Sequence, residues 1–556
     1  MNFLSKQSQL FPQDSNIGIN SQIITLLFCL ILSLIFNLRV ETIYLESFPI
    51  DNFSSGVKAV AFLTFIFSIQ LSLFALFSFF RIQKIFFILF LLVSSSSLYF
   101  ALSFNTLFNP SMIRNALETD VNEASDLLNF KFLVMFITLG IIPSIIIYKL
   151  PISYPSFIKS CALNLILIVS AVILMVASIF PYYADFSSFV RNNEKQLKYS
   201  LLPFAPLHSL YRIYHQDFLD NNPVIKIKDL NAIIDLDYKR NRKKPRVMIV
   251  IVGETAREHT FTKIFKEFQD KPDFLSLSKN LTYFDNVYSC GTNTAASIPC
   301  MFSTYGKDTY KRKYKRQYEN IVELIDRVGY EVTWRNNNSG CKGICTRINQ
   351  DPITNENSPH FAAYNHFFDE ALVSDLSERI VQSTEDQVIF LHQMGSHGPA
   401  YFKRTPKEFK LHQPACESAD FANCSQIQIE NAYENTIIYS NYVIAKAIDE
   451  LKTVSNQYDT ALIYLSDHGE STGEGGYYLH GLPYFIAPDE QIHVPMLTWF
   501  SDGFLDSKKI DSACLKENSH KRISHDNFSH TLLGLLDIRT KNYTKSLDIT
   551  IECTKN

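Results

Sequence analysis

Val250-Ile251-Val252-Gly253-Glu254-Thr255-Ala256-Arg257 opens as an uninterrupted apolar run and ends on an acid beside a glycine. A short continuous run, without polar alternation, predicts a strand buried on both faces. The full run, Val247–Val252, has companions in Val388–Leu391 and Ala461–Leu465, and shorter or more mixed ones in Tyr330–Trp334 and Val494–Phe500. Helical patterns such as Tyr433–Leu451 lie between them. That alternation implies an α/β/α domain, a mainly parallel sheet covered on both faces. Sheets of this kind bind ligands beyond the carboxyl ends of their strands. Glu254 follows the first run, and His397 follows Val388–Leu391 within Gly395-Ser396-His397-Gly398-Pro399. Asp467 and His468 follow Ala461–Leu465. Residues far apart in sequence are therefore expected at one sheet edge.

The residue types at those ends suit a metal. Zinc accepts carboxylate and imidazole ligands, usually four in all. Glu254, Asp467 and His468 offer three, and the hydroxyl of Thr294 can be the fourth. Neighbouring side chains on a strand face opposite ways, so Asp467 and His468 share an ion only if the strand has already ended; Gly469 suits such a turn. A neutral threonine is a poor nucleophile, and metal coordination lowers its pKa. Thr294 lies within Cys290-Gly291-Thr292-Asn293-Thr294-Ala295-Ala296-Ser297-Ile298-Pro299-Cys300, a loop that two cysteines can close. Such a bond is worth roughly 3 kcal/mol by chain-entropy arguments, and it fixes where the hydroxyl points. A helix beginning near Asn293 would favour a negative charge there, although Pro299 argues against a long undistorted one. Singly, each feature has a plainer reading: Glu254 as an acid near a helix start, Asp467-His468-Gly469 as a turn, Thr294 as a helix-start threonine. Their recurrence at strand ends points to a metal-dependent phosphotransferase or hydrolase.

At 556 residues the chain is too long for one ordinary domain. Its first third is apolar and aromatic. Five stretches approach the roughly 20 apolar residues of a membrane span: near 20–38, 59–80, 85–104, 132–148 and 161–180, the fourth being shortest and carrying Pro143. The first is no signal peptide, since it has no small-residue cleavage site and more spans follow. Arg81, Lys84, Lys149 and Lys159 fall between spans two and three and between four and five. Segment 105–130 carries Glu118, Asp120, Glu123 and Asp126 against a single Arg114. That asymmetry places the N-terminus in the cytoplasm and the C-terminal domain outside, which in a bacterium is the periplasm. Cys29 and Cys161 lie in spans, and the other eight cysteines lie in the exported part, where disulfides are expected. Local pairing joins Cys290 to Cys300, Cys341 to Cys345 and Cys416 to Cys424, leaving Cys514 for Cys553; spacing alone does not fix this connectivity. The chain accordingly divides into 1–181 in the membrane, 182–245 as a bridge and 246–556 as the catalytic domain. The bridge begins as an amphipathic stretch, Phe186 to Tyr214, suited to the bilayer interface. It ends in Lys239-Arg240-Asn241-Arg242-Lys243-Lys244-Pro245-Arg246, either a solvated linker or a contact for lipid phosphates. No nucleic-acid partner is expected.

Several motifs carry a family resemblance: Gly253-Glu254-Thr255-Ala256-Arg257, Cys290-Gly291-Thr292-Asn293-Thr294, Ser297-Ile298-Pro299-Cys300-Met301-Phe302-Ser303, and Trp334-Arg335-Asn336-Asn337-Asn338-Ser339-Gly340-Cys341-Lys342-Gly343. So do Asn431-Ala432-Tyr433-Glu434-Asn435-Thr436, Ser466-Asp467-His468-Gly469-Glu470-Ser471 and Leu479-His480-Gly481-Leu482-Pro483. Over essentially its whole length the chain resembles the bacterial phosphoethanolamine–lipid A transferases, the group that includes the mobile colistin-resistance enzymes. The resemblance implies five spans and a sulfatase-like domain of the alkaline phosphatase superfamily. It implies zinc held by Glu254, Asp467 and His468, with Thr294 as nucleophile and as carrier of the transferred group. It makes phosphatidylethanolamine the donor and a lipid A phosphate the acceptor, the added amine weakening attraction to cationic peptides such as polymyxins. By the same resemblance His397 and His480 assist catalysis, bind the phosphate or take a second zinc. Asn338, Ser339 and Lys342 hold the donor head group. Met112–Thr119, with Asn115 and Glu118, forms a loop over the site in which Glu118 meets the ethanolamine ammonium.

Rival readings differ at identifiable residues. A sulfatase would draw its nucleophile from a Cys/Ser-x-Pro-x-Arg signature, which 290–294 lacks. A phosphoglycerol transferase would use phosphatidylglycerol and would not normally carry these cysteines. A pseudoenzyme that only binds lipid predicts a lost ligand or nucleophile, and none is missing. Within the family, a lipopolysaccharide core sugar (Kdo or heptose) or a protein is an alternative acceptor.

Overall fold

In the computed structural model, residues 18–79, 82–119, 124, 127–219, 225–235, 242–364 and 366–555 are described. Arg81, Asp120, Glu123, Asp126 and Lys239–Asn241, used above for topology and the linker, lie outside them. The chain divides into two compact units: Met1–Pro110 with Leu128–Arg212, and Ser111–Leu127 with Ile213–Asn556. Residues Ser111–Leu127, between apolar helices in sequence, thus group with the second unit.

The first unit is helical because its apolar stretches are long and nearly free of charge. Four helices among the described residues are long and apolar enough to cross a membrane: Phe53–Phe77, Ile82–Phe104, Phe130–Lys149 and Phe157–Tyr182. The first expected span is a bent pair, Ser21–Phe36 and Leu38–Ser47, meeting at 56°. The break falls at Asn37, whose side-chain amide donates to Leu32 O at 2.9 Å and to Leu202 O at 3.1 Å. A side chain inserted into the backbone ladder is a recognised cause of such kinks. Pro143 sits at the start of the Ile142–Lys149 helix, directly after a π-helical turn at Phe136–Ile141; the wider turn accommodates the backbone hydrogen bond that proline cannot donate. Polar side chains inside the bundle satisfy one another, as Gln22 Nε2 does with Asn164 Oδ1 at 2.8 Å and Ser33 Oγ with Gln70 Oε1 at 2.8 Å. Along the bridge run the helices Tyr183–Ser200 and Phe204–Leu219.

The second unit is built on eight strands: β1 Arg246–Gly253, β2 Leu281–Tyr288, β3 Glu331–Asn336, β4 Asn349–Pro352, β5 Gln387–His392, β6 Asp459–Ser466, β7 His493–Phe500 and β8 Ile523–Ser524. Their order is β8-β2-β7-β6-β1-β5-β3-β4. Only β7 runs against its neighbours in this sheet. All residues of β1, β5 and β6 are buried, as the continuous apolar runs require. On one face, Met248, Val250 and Val252 share a core with Ile298, Phe302, Trp334, Phe390 and Phe528. The other face is covered by Glu258–Phe268 and the 29-residue helix Gln426–Val454, which pack on each other.

Register positions the site. Val252 of β1 pairs with His392 of β5, and Gly253 with Ser466 of β6. The next residues, Glu254, Gln393 and Asp467, therefore leave the sheet together at its carboxyl edge.

Disulfides join Cys290–Cys300, Cys341–Cys345, Cys416–Cys424 and Cys514–Cys553, and Cys29 and Cys161 are free thiols. The separations range from 4 residues at Cys341–Cys345 to 39 at Cys514–Cys553. Chain entropy scales with that length, giving about 2 and about 4 kcal/mol respectively. The Cys514→Ala/Cys553→Ala variant is therefore expected to lower the thermal midpoint of the second unit more than Cys341→Ala/Cys345→Ala does. The reverse ranking in differential scanning calorimetry would show that loop closure does not set their contributions.

Candidate metal and nucleophile site

Glu254, Asp467, His468 and Thr294 converge. Thr294 Oγ1 lies 3.2 and 3.3 Å from the two Glu254 carboxylate oxygens and 3.3 Å from His468 Nε2. His468 Nε2 is 3.2 Å from Glu254 Oε1 and 3.4 Å from Asp467 Oδ2. All four residues are buried. Zinc–oxygen and zinc–nitrogen bonds of about 2.0–2.1 Å in a tetrahedron imply ligand–ligand edges of about 3.3–3.4 Å. The observed spacings match that edge. Asp467 Oδ2 is buried without a hydrogen-bond partner, so the donor set fits a metal on the side where this oxygen points.

Local structure produces this convergence. β6 ends at Ser466, whose Oγ accepts from Ala256 N at 2.9 Å and donates to His468 O at 2.9 Å, closing a turn. Asp467 and His468 consequently escape the strand's alternation. His468 Nδ1 donates to Gly469 O at 2.9 Å, which turns Nε2 to the cluster. Asp467 Oδ1 is occupied by the backbone N–H groups of His468 at 2.8 Å and Thr255 at 3.2 Å, leaving Oδ2 for the cluster. Thr255 adopts φ +62°, the left-handed region that β-branched residues avoid. It is held there by Tyr433, whose hydroxyl donates to Thr255 O at 2.9 Å and accepts from Arg257 N at 3.0 Å. Gly395 must be glycine for a related reason: a Cβ there would lie 2.5 Å from Glu254 O. Thr294 is the first residue of the Thr294–Met301 helix, capped by Asn293 Oδ1 accepting from Ala296 N at 3.0 Å.

The electrostatics follow from two carboxylates in one dry cavity. Burial, together with the facing charge of Glu254, pushes the Asp467 carboxyl up. Burial would raise Glu254 too, but the hydrogen bond and charge of His468 pull it well below the usual carboxylate range. Burial opposes protonation of His468, yet Asp467 and Glu254 raise its pKa to about 10. The cluster thus holds a cation between two acids, the charge arrangement that a metal dication replaces.

The remaining expected residues surround this centre. Asn338 Nδ2 donates to Glu254 Oε2 at 2.9 Å and to Gln393 O at 2.7 Å. Lys342 Nζ donates to Ser339 Oγ at 2.9 Å and to Glu118 O at 3.3 Å. Glu118 Oε1 faces Arg114 at 3.7 Å and Lys315 at 3.8 Å, while its Oε2 is buried without a hydrogen-bond partner. Asn115 is buried on the same helix, Pro110–Glu118. The His480 ring lies 4.4 Å from the His468 ring and 5.3 Å from that of His397. His397 Nδ1 donates to its neighbour Gly398 O at 2.9 Å.

Sequence reasoning assigned no role to three residues that set this geometry. Glu470, fully buried, accepts from His480 Nδ1 at 2.8 Å and from the Tyr401 hydroxyl at 2.7 Å. Tyr433 anchors Thr255. His525 accepts from Cys290 N at 3.1 Å and donates to Ser466 O at 3.0 Å, tying the disulfide loop to the end of β6. Burial lowers the His525 pKa to about 4, so it stays neutral. Glu470 and Tyr433 both stand inside motifs quoted above; His525 stands in none.

A helix-start threonine beside two acids and an imidazole, on a sheet of this order, defines an enzyme of sulfatase architecture, and the family model described as sulfatase matches residues 246–538. A second model, described as phosphoethanolamine transferase EptA/EptB, matches residues 66–218. Phosphoethanolamine transferase EptA of Escherichia coli K12 is 34% identical over 532 residues, covering 94% of this chain and 95% of that one. Phosphatidylethanolamine transferase Mcr-1 of Escherichia coli is 34% identical over 464 residues, covering 81% and 83%. The solved integral membrane lipooligosaccharide phosphoethanolamine transferase A of Neisseria meningitidis superposes with a TM-score of 0.90 at 28% identity, covering 97% of this chain and 100% of that one. The chain belongs to the phosphoethanolamine transferase family. It is a multi-pass protein of the bacterial inner membrane, with its C-terminal domain in the periplasm.

Partners that orient metal ligands typically govern affinity by 10–100-fold. Asn338→Ala is expected to weaken zinc binding by about that factor, read by chelator competition on the full chain in detergent. Unchanged affinity would remove Asn338 from the support of Glu254.

Proposed function

We propose that this enzyme moves phosphoethanolamine from phosphatidylethanolamine to a lipid A phosphate by way of a covalent Thr294 intermediate, and so lowers sensitivity to cationic peptides such as polymyxins. The observation that carries the reading is the 3.2–3.3 Å placement of Thr294 Oγ1 against Glu254 and His468, with Asp467 Oδ2 unpartnered beside them. Zinc held by Glu254, Asp467, His468 and Thr294 would neutralise charge at the hydroxyl oxygen and lower its pKa. One ion suits the resting site, and His397 and His480 are the residues available to a second during turnover.

The chain's own groups divide the remaining work. Asn338 holds Glu254 and Tyr433 braces the adjacent Thr255, so Ser339 and Lys342 are left for the donor phosphate. The unpartnered Glu118 Oε2 suits the ethanolamine ammonium. In the first step the Thr294 Oγ–phosphorus bond forms and the bond from phosphorus to the diacylglycerol oxygen breaks. His480 or His397 takes up the proton released by the Thr294 hydroxyl and passes it to the departing diacylglycerol oxygen. In the second step the acceptor phosphate oxygen attacks the same phosphorus, the Thr294 Oγ–phosphorus bond breaks, and the proton lost by the acceptor phosphate restores the Thr294 hydroxyl. Positioning and charge neutralisation dominate, as phosphoryl transfer requires. The relative named a phosphatidylethanolamine transferase supports the donor. The lipooligosaccharide transferase supports an acceptor of the lipopolysaccharide class.

Incubation of the purified enzyme with phosphatidylethanolamine, followed by peptide mass spectrometry, is expected to find a phosphoethanolamine increment on Thr294. Thr294→Ala should lose both the increment and transfer while melting normally. An active Thr294→Ala enzyme would refute the covalent route.

A further inference from the structure

Residues 307–316 read Lys-Asp-Thr-Tyr-Lys-Arg-Lys-Tyr-Lys-Arg: six cations and one acid in ten positions, in a chain whose net charge is −3. An ordinary solvated face intersperses the two signs. Such a concentration repels itself and favours an anion.

The segment is ordered by its tyrosines. The Tyr314 ring lies 4.3 Å from Tyr305 and 5.4 Å from Tyr318, and the Lys228 ammonium sits 3.4 Å over Tyr305. Backbone bonds from Tyr314 N to Lys311 O at 2.7 Å and from Tyr318 N to Tyr314 O at 2.9 Å close its turns. The aromatic side packs, and the cations are left toward the outside, Lys311 and Lys313 being exposed.

Three of its cations are fastened to elements that carry the site. Arg312 Nη2 donates to Ser111 Oγ at 3.3 Å, and Ser111 Oγ lies 2.9 Å from Asn293 Nδ2, next to the nucleophile. Lys315 Nζ donates to Lys342 O at 3.3 Å and faces Glu118. Lys307 Nζ sits 3.4 Å over the ring of Tyr484, on the loop where Leu482 O accepts from Thr292 Oγ1 at 2.6 Å. The basic segment is therefore tied at three points to elements that carry residues near Thr294. The donor head group is a zwitterion, and Lys342 with Glu118 already matches its two charges. The exposed Lys311 and Lys313 exceed that need.

We infer that residues 307–316 bind the acceptor: they hold a second phosphate of a multiply phosphorylated glycolipid while its first phosphate meets Thr294. The inference rests on the transfer reading above, and supplies its acceptor subsite.

The test uses the full chain in detergent with two probes, bisphosphorylated and monophosphorylated lipid A, and the exposed-pair variant Lys311→Gln/Lys313→Gln. Binding measured without donor is expected to weaken about tenfold for the bisphosphorylated probe and less than about twofold for the other. The KM for the bisphosphorylated acceptor should rise in parallel. Diacylglycerol release from phosphatidylethanolamine without acceptor should be unchanged, and Lys311→Arg/Lys313→Arg should restore binding. Unchanged affinity for both probes would overturn the inference. So would equal losses for both accompanied by lost binding to phosphatidylglycerol vesicles, which would assign the cations to bilayer phosphates. Wild-type enzyme that binds the bisphosphorylated probe but never modifies it would instead sink the transfer reading and leave the docking segment standing.

Discussion

Two carboxylates buried side by side need a counter-charge, and much of the catalytic domain is arranged around that need. Glu254 and Asp467 arrive from adjacent parallel strands whose ends are in register. Neither has water to spread its charge, and desolvated ions without partners are costly. The surroundings respond in layers. His468 offers a proton between the two acids, backbone N–H groups take Asp467 Oδ1, and Asn338 takes Glu254 Oε2. What is left over, one oxygen of Asp467, points to where a metal would sit. Thr294 is drawn into the same network because its hydroxyl can donate to the acids.

The outer layers are rigid for reasons of their own. Tyr433 stands on a 29-residue helix that covers the sheet, so the strained Thr255 is braced against one of the largest elements of the domain. Glu470 holds the His480 ring while itself fixed by Tyr401. His525 couples the disulfide loop to β6 through two backbone hydrogen bonds. Tyr433, Glu470 and His525 each brace a different neighbour of the cluster: Thr255, His480, and the disulfide loop with the end of β6. Loss of any single one should loosen the site without collapsing it.

The legible parts of this protein were those written as uninterrupted apolar runs. β1, β5 and β6 stood out because all their residues are buried, and their carboxyl ends named Glu254, Asp467 and His468. β2 escaped notice. Leu281–Tyr288 mixes buried and half-exposed positions and includes Asp285 and Asn286, so no continuous run marked it. The first apolar stretch looked uniform, yet its path turns at Asn37, where one amide competes with the helix ladder. The left-handed backbone at Thr255 could not be foreseen, since threonine disfavours it and only the tertiary bond to Tyr433 holds it. His525 was silent because a lone histidine carries no spacing signal. Its role exists only once Cys290 and Ser466 are neighbours. Lys311 and Lys313 carried no reading in the sequence; their place beside the site follows only from the contacts of Arg312 and Lys315.

The Cys290–Cys300 bond brackets Thr294, the nucleophile of the proposed mechanism. While those thiols are reduced, the loop bearing Thr294 lacks the crosslink that limits its excursions, and the hydroxyl spends less time facing Glu254. Maturation of the nucleophile is thereby tied to the oxidising side of the membrane. On that mechanism, a newly made chain with Cys290 and Cys300 still reduced would carry every residue of the site without the crosslink that holds Thr294 in place. Export and oxidation then act as an assembly checkpoint, so that the enzyme becomes competent in the compartment where its lipid substrates are to be modified.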